Sequence, residues 1–292
     1  MVKRVAIFGS AGQLGVELVR TFAEAGCTLL RLSRAELDVI DQAAVERQLA
    51  SFQPEIVINS AAYNMVDVAE KEPQAAFEVN ALAVRNMAIA CRQLDARLVH
   101  FSTDYVFDGA AGRPYVETDA VHPLGAYAVS KLAGEWYAQA YLDAPLIIRT
   151  CGVFGPGGLH TARGNFIETM LRLGRGQQTI RVVEDHVASP TYAPALATRT
   201  LAMLDKGLSG IYHVGGGTAL SWYDFAGLIF QHAGMEPELR PTNEREYRTP
   251  ARRPKFSALS NAKMEAAGIE PMPTLPEALG DYFRRRQRLA AQ

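Results

Sequence analysis

A near-even charge balance and a substantial apolar content bound what this 292-residue chain can be. Thirty basic residues against thirty-one acidic leave a net charge of −1, which offers no electrostatic footprint for nucleic acid or for a membrane surface. With 48% hydrophobic residues the chain can bury a core as one large domain or two intimate ones.

In chain order, RVAIFG (4–9) is a strand candidate. Two cations, Lys3 and Arg4, ahead of the apolar residues imitate the start of a signal peptide, but the apolar run is short and glycine ends it. No stretch reaches bilayer length, so a soluble cytoplasmic protein is expected. Residues 13–26 have helical periodicity and stop at Gly26. Strands are expected at 28–33, 55–62, 97–103 and 145–150, and helices at 43–52, 73–94 (opened by a proline) and 126–141. Nearly wholly apolar strands alternating with helices predict an α/β fold, a doubly wound parallel sheet covered on both faces. After residue 150 the pattern loosens. A glycine-rich loop spans 152–164, a helix 165–174 and a strand 179–185, followed by shorter, proline-rich pieces. The expected organisation is a dinucleotide-binding domain over 1–150 and a smaller interleaved substrate lobe over 151–292, with 179–205 returning to the sheet domain. The basic run at 284–288 reads as the solvated end of a last helix.

The turn GSAGQLG (9–15) lies between the first strand and the first helix, where a doubly wound fold binds a pyrophosphate. Gly9 permits the tight turn, Gly12 close backbone approach to the phosphates, and Gly15 close packing of helix on strand, while free N–H groups at the helix start face the anion. The second strand ends RLSRAE, with Ser33 and Arg34 at its tip and no acid there. A serine and a guanidinium suit a 2′-phosphate better than a carboxylate would. NADP(H) is therefore expected ahead of NAD(H), with both admitted.

YAVSK (127–131) puts Tyr127 and Lys131 on one helix face. That spacing describes a surface pair as well as a proton donor and its cation. Three widely separated cysteines argue against a disulfide framework or zinc site and suit a reducing compartment, and six scattered histidines form no metal-binding pattern.

Together the glycine turn and YAVSK resemble the extended short-chain dehydrogenase/reductases. STDYVFDG (102–109), VNALAV (79–84), SPTY (189–192), GIYHVGGG (210–217) with SWYDFA (221–226), and RRPKFSAL (252–259) are similar, in that order, to the dTDP-4-dehydrorhamnose reductase family. The resemblance implies NADPH-dependent reduction of the C4 ketone of a dTDP-4-keto-6-deoxy-L-hexose, with dTDP-L-rhamnose as product, in the making of cell-surface polysaccharide. It implies Tyr127 as proton donor, Lys131 as its partner, Thr103 beside the substrate carbonyl, and Asn80 as a brace for the proton path. Gly12, Gln13 and Leu14 would border the pyrophosphate, Asp38 and Val39 the adenine, and Ala61, Ala62 and Tyr63 the nicotinamide side. Asp104 would reach the sugar, with Gly152 and Arg253 also on the substrate.

Three features depart from the family pattern. Gly152 stands where a tryptophan usually packs on the deoxysugar, the loop after it looks longer, and His186 and Ala188 replace glutamine and glycine. These put the identity of the sugar in question. Glu17 matches a glutamate that holds a metal at a dimer contact in some members, but no companions are identifiable and no metal is expected. The helices at 73–94 and 126–141 admit a homodimer contact as well as burial on the sheet. The alternatives are another nucleotide-sugar enzyme, either an epimerase or dehydratase or a ketoreductase of another deoxysugar, and a non-catalytic dinucleotide-binding subunit. Tyr105 stands where a dehydratase would carry glutamate.

Overall fold

A computed structural model describes residues 3–161, 164–176 and 178–290. β1 (Arg4–Phe8) leads through the glycine turn into α1 (Gln13–Glu24), and β2 (Thr28–Leu32) into α2 (Gln42–Phe52). The Asp41 carboxylate caps α2 by accepting the Ala44 N–H at 3.0 Å, satisfying one of the unpaired donors of the first turn. β3 (Ile56–Asn59) is followed by a short α3 (Val66–Ala69) and by α4 (Pro73–Phe77), where proline sits at the helix start. A π-helical segment, Glu78–Leu82, joins α4 to α5 (Ala83–Leu94), so the helix expected at 73–94 carries a local widening at Asn80. β4 (Arg97–Thr103), α6 (Ala126–Tyr141) and β5 (Leu146–Thr150) complete the first half.

The second half contains α7 (Phe166–Gly174), β6 (Ile180–Val183), β7 (Val187–Ala188) and α8 (Ala193–Asp205). These are followed by β8 (Gly210–His213), β9 (Leu220–Ser221), α9 (Trp222–Ala233), β10 (Leu239–Thr242), α10 (Ala262–Ala266) and α11 (Leu275–Ala290). The main sheet has the order β2-β1-β3-β4-β5-β8, with every neighbouring pair parallel. Strand order reverses between β1 and β3, and that crevice is where a doubly wound sheet binds its ligand. Within the stretch 179–205 expected to return to the sheet domain, β6 pairs with β10 in a separate two-stranded sheet. It is α8 and β8 that come back.

Side-chain alternation along the strands divides the interior. Ala6, Phe8, Val57, Leu98 and Ile147 face the α2 and α5 side. Val5, Ile7, Ile58, Val99 and Ile148 face α1 and α8. The second cluster runs on without a break through Ile167, Met170, Phe225, Ile229, Leu279 and Tyr282. The sheet and the later helices therefore share one core, and the loosened pattern after residue 150 marks a change of architecture inside one packed body.

Candidate active site

β4 ends at Thr103, which lies at the carboxyl edge of the sheet. Its hydroxyl accepts the Tyr105 N–H and donates to Asp104 Oδ1, each at 3.2 Å. α6 brings Tyr127 over this edge, with its phenol on the Thr103 side. Burial pushes the phenol up to about 12, with the Thr103 side chain pulling the other way. Lys131, one turn further on, is 3% exposed and donates from Nζ to the Phe101 carbonyl at 2.5 Å. Burial brings its ammonium down to about 8, opposed by Glu135. Lys131 is therefore anchored to the strand, and the tyrosine's proton is held by burial rather than loosened by a direct contact with the lysine. A neutral phenol is the form that a proton donor needs, and an alkoxide is a far stronger base than phenolate.

Asp104 is buried beside Thr103, Cys151 and Ser257. Burial raises its carboxyl to about 6, against hydrogen bonds from Ser257, Cys151 and Thr103. Asn80 sits in the π-helical turn, with Oδ1 accepting the Tyr63 N–H and Nδ2 donating to the Tyr63 carbonyl, both at 2.9 Å. Nδ2 also donates to the Ser130 hydroxyl at 3.0 Å. One amide thus ties the segment after β3 to the helix that carries Tyr127 and Lys131.

Sequence reasoning missed the layer behind these residues. Glu135 on α6 accepts two bonds from Arg149 on β5, at 2.9 and 2.7 Å, and a further one from Ser102. The two side chains are 1% and 3% exposed, and the guanidinium lies 5.2 Å from the Phe107 ring centroid. At the other end of α6, Glu70 accepts the Ala126 N–H at 2.8 Å and caps the helix. The available signal was a glutamate and an arginine inside otherwise apolar stretches.

The glycine turn is shaped for close approach. Gly9 has φ +74°, and a Cβ there would lie 2.7 Å from the Ala61 nitrogen; a Cβ on Gly15 would strike the Gly9 carbonyl. No side chain of a described residue caps the first turn of α1, so its N–H groups are available to an anion. This cradle fits a dinucleotide pyrophosphate, with Gly12 and Leu14 at the turn. The Gln13 side chain is directed elsewhere: it donates to the Val153 carbonyl at 2.6 Å and accepts from Asn165 at 3.0 Å, leaving its backbone as the group at the helix start. Ala61 and Ala62 follow β3 across the crevice, with Tyr63 held by Asn80. Val39 is buried, and Asp38 is an exposed turn acid that accepts the Ile40 N–H at 3.2 Å. The expectation that no acid sits at the tip of β2 needs correction, because Glu36, three residues beyond Ser33, folds back onto it. Its Oε2 accepts the Ser33 N–H at 2.7 Å.

In the substrate half, Gly152 has φ +49°, a region that strains any side chain, and a Cβ there would meet the tip of the Trp222 indole at 3.1 Å. The space a residue-152 tryptophan would occupy is thus bordered by a tryptophan from α9. Trp222 is partly exposed, packs edge-on to Phe166 at 4.7 Å, and donates its backbone N–H to the His186 carbonyl at 3.2 Å. His186 is buried, with neither ring nitrogen hydrogen-bonded among the described residues, and burial lowers its pKa. Arg253, expected on the substrate, makes a two-pronged pair with Asp67 of α3 at 3.0 and 2.7 Å and also contacts Thr249 and Tyr105. Tyr105 in turn lies edge-on to Tyr127, centroids 5.9 Å apart. Near Glu17, Arg20 (3.1 Å) and Arg285 (3.8 Å) supply positive charge. Of the longer loop after Gly152, residues 162 and 163 lie outside the described residues.

A family model described as the RmlD substrate binding domain matches residues 3–288. The chain belongs to this family. Among RmlD relatives it is 38% identical to the dTDP-4-dehydrorhamnose reductase of Mycobacterium tuberculosis H37Rv, over 92% of this chain and 89% of the relative. It is 34% identical to the dTDP-4-keto-6-deoxy-D-glucose reductase of Streptomyces niveus, over 97% of both. Of solved structures, the dTDP-4-dehydrorhamnose reductase of Bacillus anthracis in complex with NADP superposes with a TM-score of 0.92 at 34% identity, covering 97% of this chain and 99% of that one. No helix among the described residues is long and apolar enough to cross a membrane.

Proposed function

We propose that this RmlD-family protein is an NADPH-dependent oxidoreductase that reduces the C4 ketone of a dTDP-4-keto-6-deoxy-L-hexose, with dTDP-4-dehydro-L-rhamnose as substrate and dTDP-L-rhamnose as product. The observation that carries the reading is the convergence of Thr103, Tyr127 and Lys131 at the carboxyl edge of β4. Asn80 joins that edge to the segment lining the crevice beside the glycine cradle.

The Gly9–Gly15 turn and the Ser33–Arg34 tip would hold NADPH, which when bound would supply the hydride. As negative charge develops on the sugar's C4 oxygen, the Tyr127 phenol donates its proton there, and the Thr103 hydroxyl stabilises the charge and orients the phenol. Lys131 keeps a positive field on the phenolate left behind, while Phe101 fixes the position of its ammonium. Asp104, buried next to Thr103, is the group best placed to accept a sugar hydroxyl. The Trp222 indole beside Gly152 supplies the apolar face for the deoxysugar, and Arg253 lies at the mouth beside Tyr105.

The test is to mix the protein with NADPH and dTDP-4-dehydrorhamnose and follow the loss of NADPH absorbance. Absence of turnover with this and related dTDP-4-keto sugars would remove the reading. A second reading, reduction of a different dTDP-4-keto-6-deoxy sugar, is favoured by Gly152 and His186 and by the likeness to the Streptomyces niveus enzyme. Product stereochemistry at C4 and C5, read by NMR, separates the two. A non-catalytic role is disfavoured because the donor and its cation are both present. We also infer a cytoplasmic location, where NADPH and nucleotide sugars are made, and a homodimer through the outer face of α6, where Val129 and Trp136 are 48% and 59% exposed. Light scattering on the purified chain measures the latter.

A further inference from the structure

Beyond β2 the chain makes one helical turn, with the Glu36 and Leu37 N–H groups donating to the Ser33 carbonyl at 3.1 and 3.0 Å. The Glu36 carboxylate closes this turn by accepting the Ser33 N–H at 2.7 Å. The backbone N–H contributes most to holding its carboxyl below the usual glutamate range. Arg31 and Arg34 are exposed on either side.

In a doubly wound fold, the tip of the second strand meets the adenosine ribose. A carboxylate there binds the ribose hydroxyls of NAD, whereas a guanidinium accommodates the 2′-phosphate of NADP. This tip holds both kinds of group. The Ser33 N–H, a donor that would serve a 2′-phosphate, is already bound to an anion from the same chain. A phosphate carrying its own negative charge must displace or crowd that anion, and ribose hydroxyls need not.

We propose that Glu36 sets the cofactor preference of this protein, its charge opposing the 2′-phosphate at the Ser33 donors and narrowing the advantage of NADPH over NADH. The proposal rests on the dinucleotide-binding part of the functional reading and is independent of which sugar is reduced.

A serine followed three residues later by glutamate is also an ordinary way to close a helical turn. Glu36→Gln separates the two roles, because glutamine can still accept the Ser33 N–H but carries no charge. Dissociation constants for NADPH and NADH are measured by titration calorimetry on the full chain without sugar, for the wild type and for Glu36→Gln. The expected result is NADPH binding tightened about fivefold, as one exposed like-charge contact removed should give. NADH should be unchanged or weaker, and the gain should shrink in high salt. A ratio of the two constants that stays put, whether neither moves or both move by the same factor, overturns the proposal. Failure of the wild type to bind either dinucleotide overturns the cofactor reading as well, and so distinguishes the two failures. Thermal unfolding checks the turn, and Glu36→Ala, which loses charge and cap together, should show the same shift in ratio on a less stable protein.

Discussion

At the carboxyl ends of β4 and β5, Thr103, Asn80, Lys131 and Glu135 each have named partners, and those partners lie on different elements of the fold. Around Gly152 the construction differs. The backbone is in the left-handed region, an indole from a distant helix borders the glycine, and the ring nitrogens of a buried histidine have no hydrogen bond among the described residues. The first region fixes Lys131 and the helix that carries Tyr127 through overlapping constraints. The second is an apolar surface with few constraints. On the proposed function, chemistry and sugar recognition are held by different parts of the shared core.

The most severe way to break the first region is Tyr127→Phe. It removes one oxygen and keeps the ring against Tyr105, and it should lower kcat by on the order of 10³-fold, the usual contribution of a positioned acid. NADPH affinity, measured by calorimetry, should stay unchanged. Next comes Glu135→Ala, which leaves Arg149 buried without its carboxylate. Urea unfolding should show a loss of about 3–5 kcal/mol, the cost of breaking a buried pair from one side.

The pH dependence sharpens the same region. Lys131 is a buried cation whose pKa falls from 10.5 to about 8, chiefly through burial. Its charge is lost as pH rises through that value, so kcat/KM should decline above it, by about tenfold per unit where the protonated form is required. The stability contribution has the opposite sign. Between about 8 and 10.5 the unfolded chain binds the proton more readily than the folded one, so this group favours folding progressively as pH rises through that window. Rate and unfolding profiles recorded across the window check both signs.

The smallest effect belongs to the second region. Trp222→Phe retains an aromatic against Phe166 but withdraws the ring edge from Gly152. The KM for the sugar nucleotide should rise about three- to tenfold, the worth of one aromatic contact, with kcat nearly unchanged. An equal fall in kcat would place Trp222 with the chemistry and erase the distinction between the regions.

How far each part could be read from the sequence follows from the range of the interactions. The strands and helices of the first half were legible because apolar periodicity is local. Tyr127 and Lys131 were legible as a pair because four residues make one helical turn, and Thr103 through the resemblance carried by STDYVFDG. Ser130 was hidden inside YAVSK: its role depends on Asn80, fifty positions earlier in sequence. Glu135 and Arg149 meet only when α6 lies on β5. Arg253 and Asp67 are separated by most of the chain, so the acidic partner of the arginine expected on the substrate was not legible. Glu36 was within three residues of Ser33, yet strand-tip reasoning looked only at the residues at the tip and not at a side chain folding back.

By itself, then, the sequence determined the alternation of strand and helix, the glycine turn at the first crossover and the helical register of Tyr127 with Lys131, all of which are set by neighbours within a turn or two. Only the tertiary structure decided that β6 leaves the main sheet for β10, that Trp222 borders the glycine at 152, and that Asp67 holds Arg253. Those outcomes depend on which surfaces meet when one core is packed, and no local pattern encodes the contact between residues brought together from opposite ends of the chain.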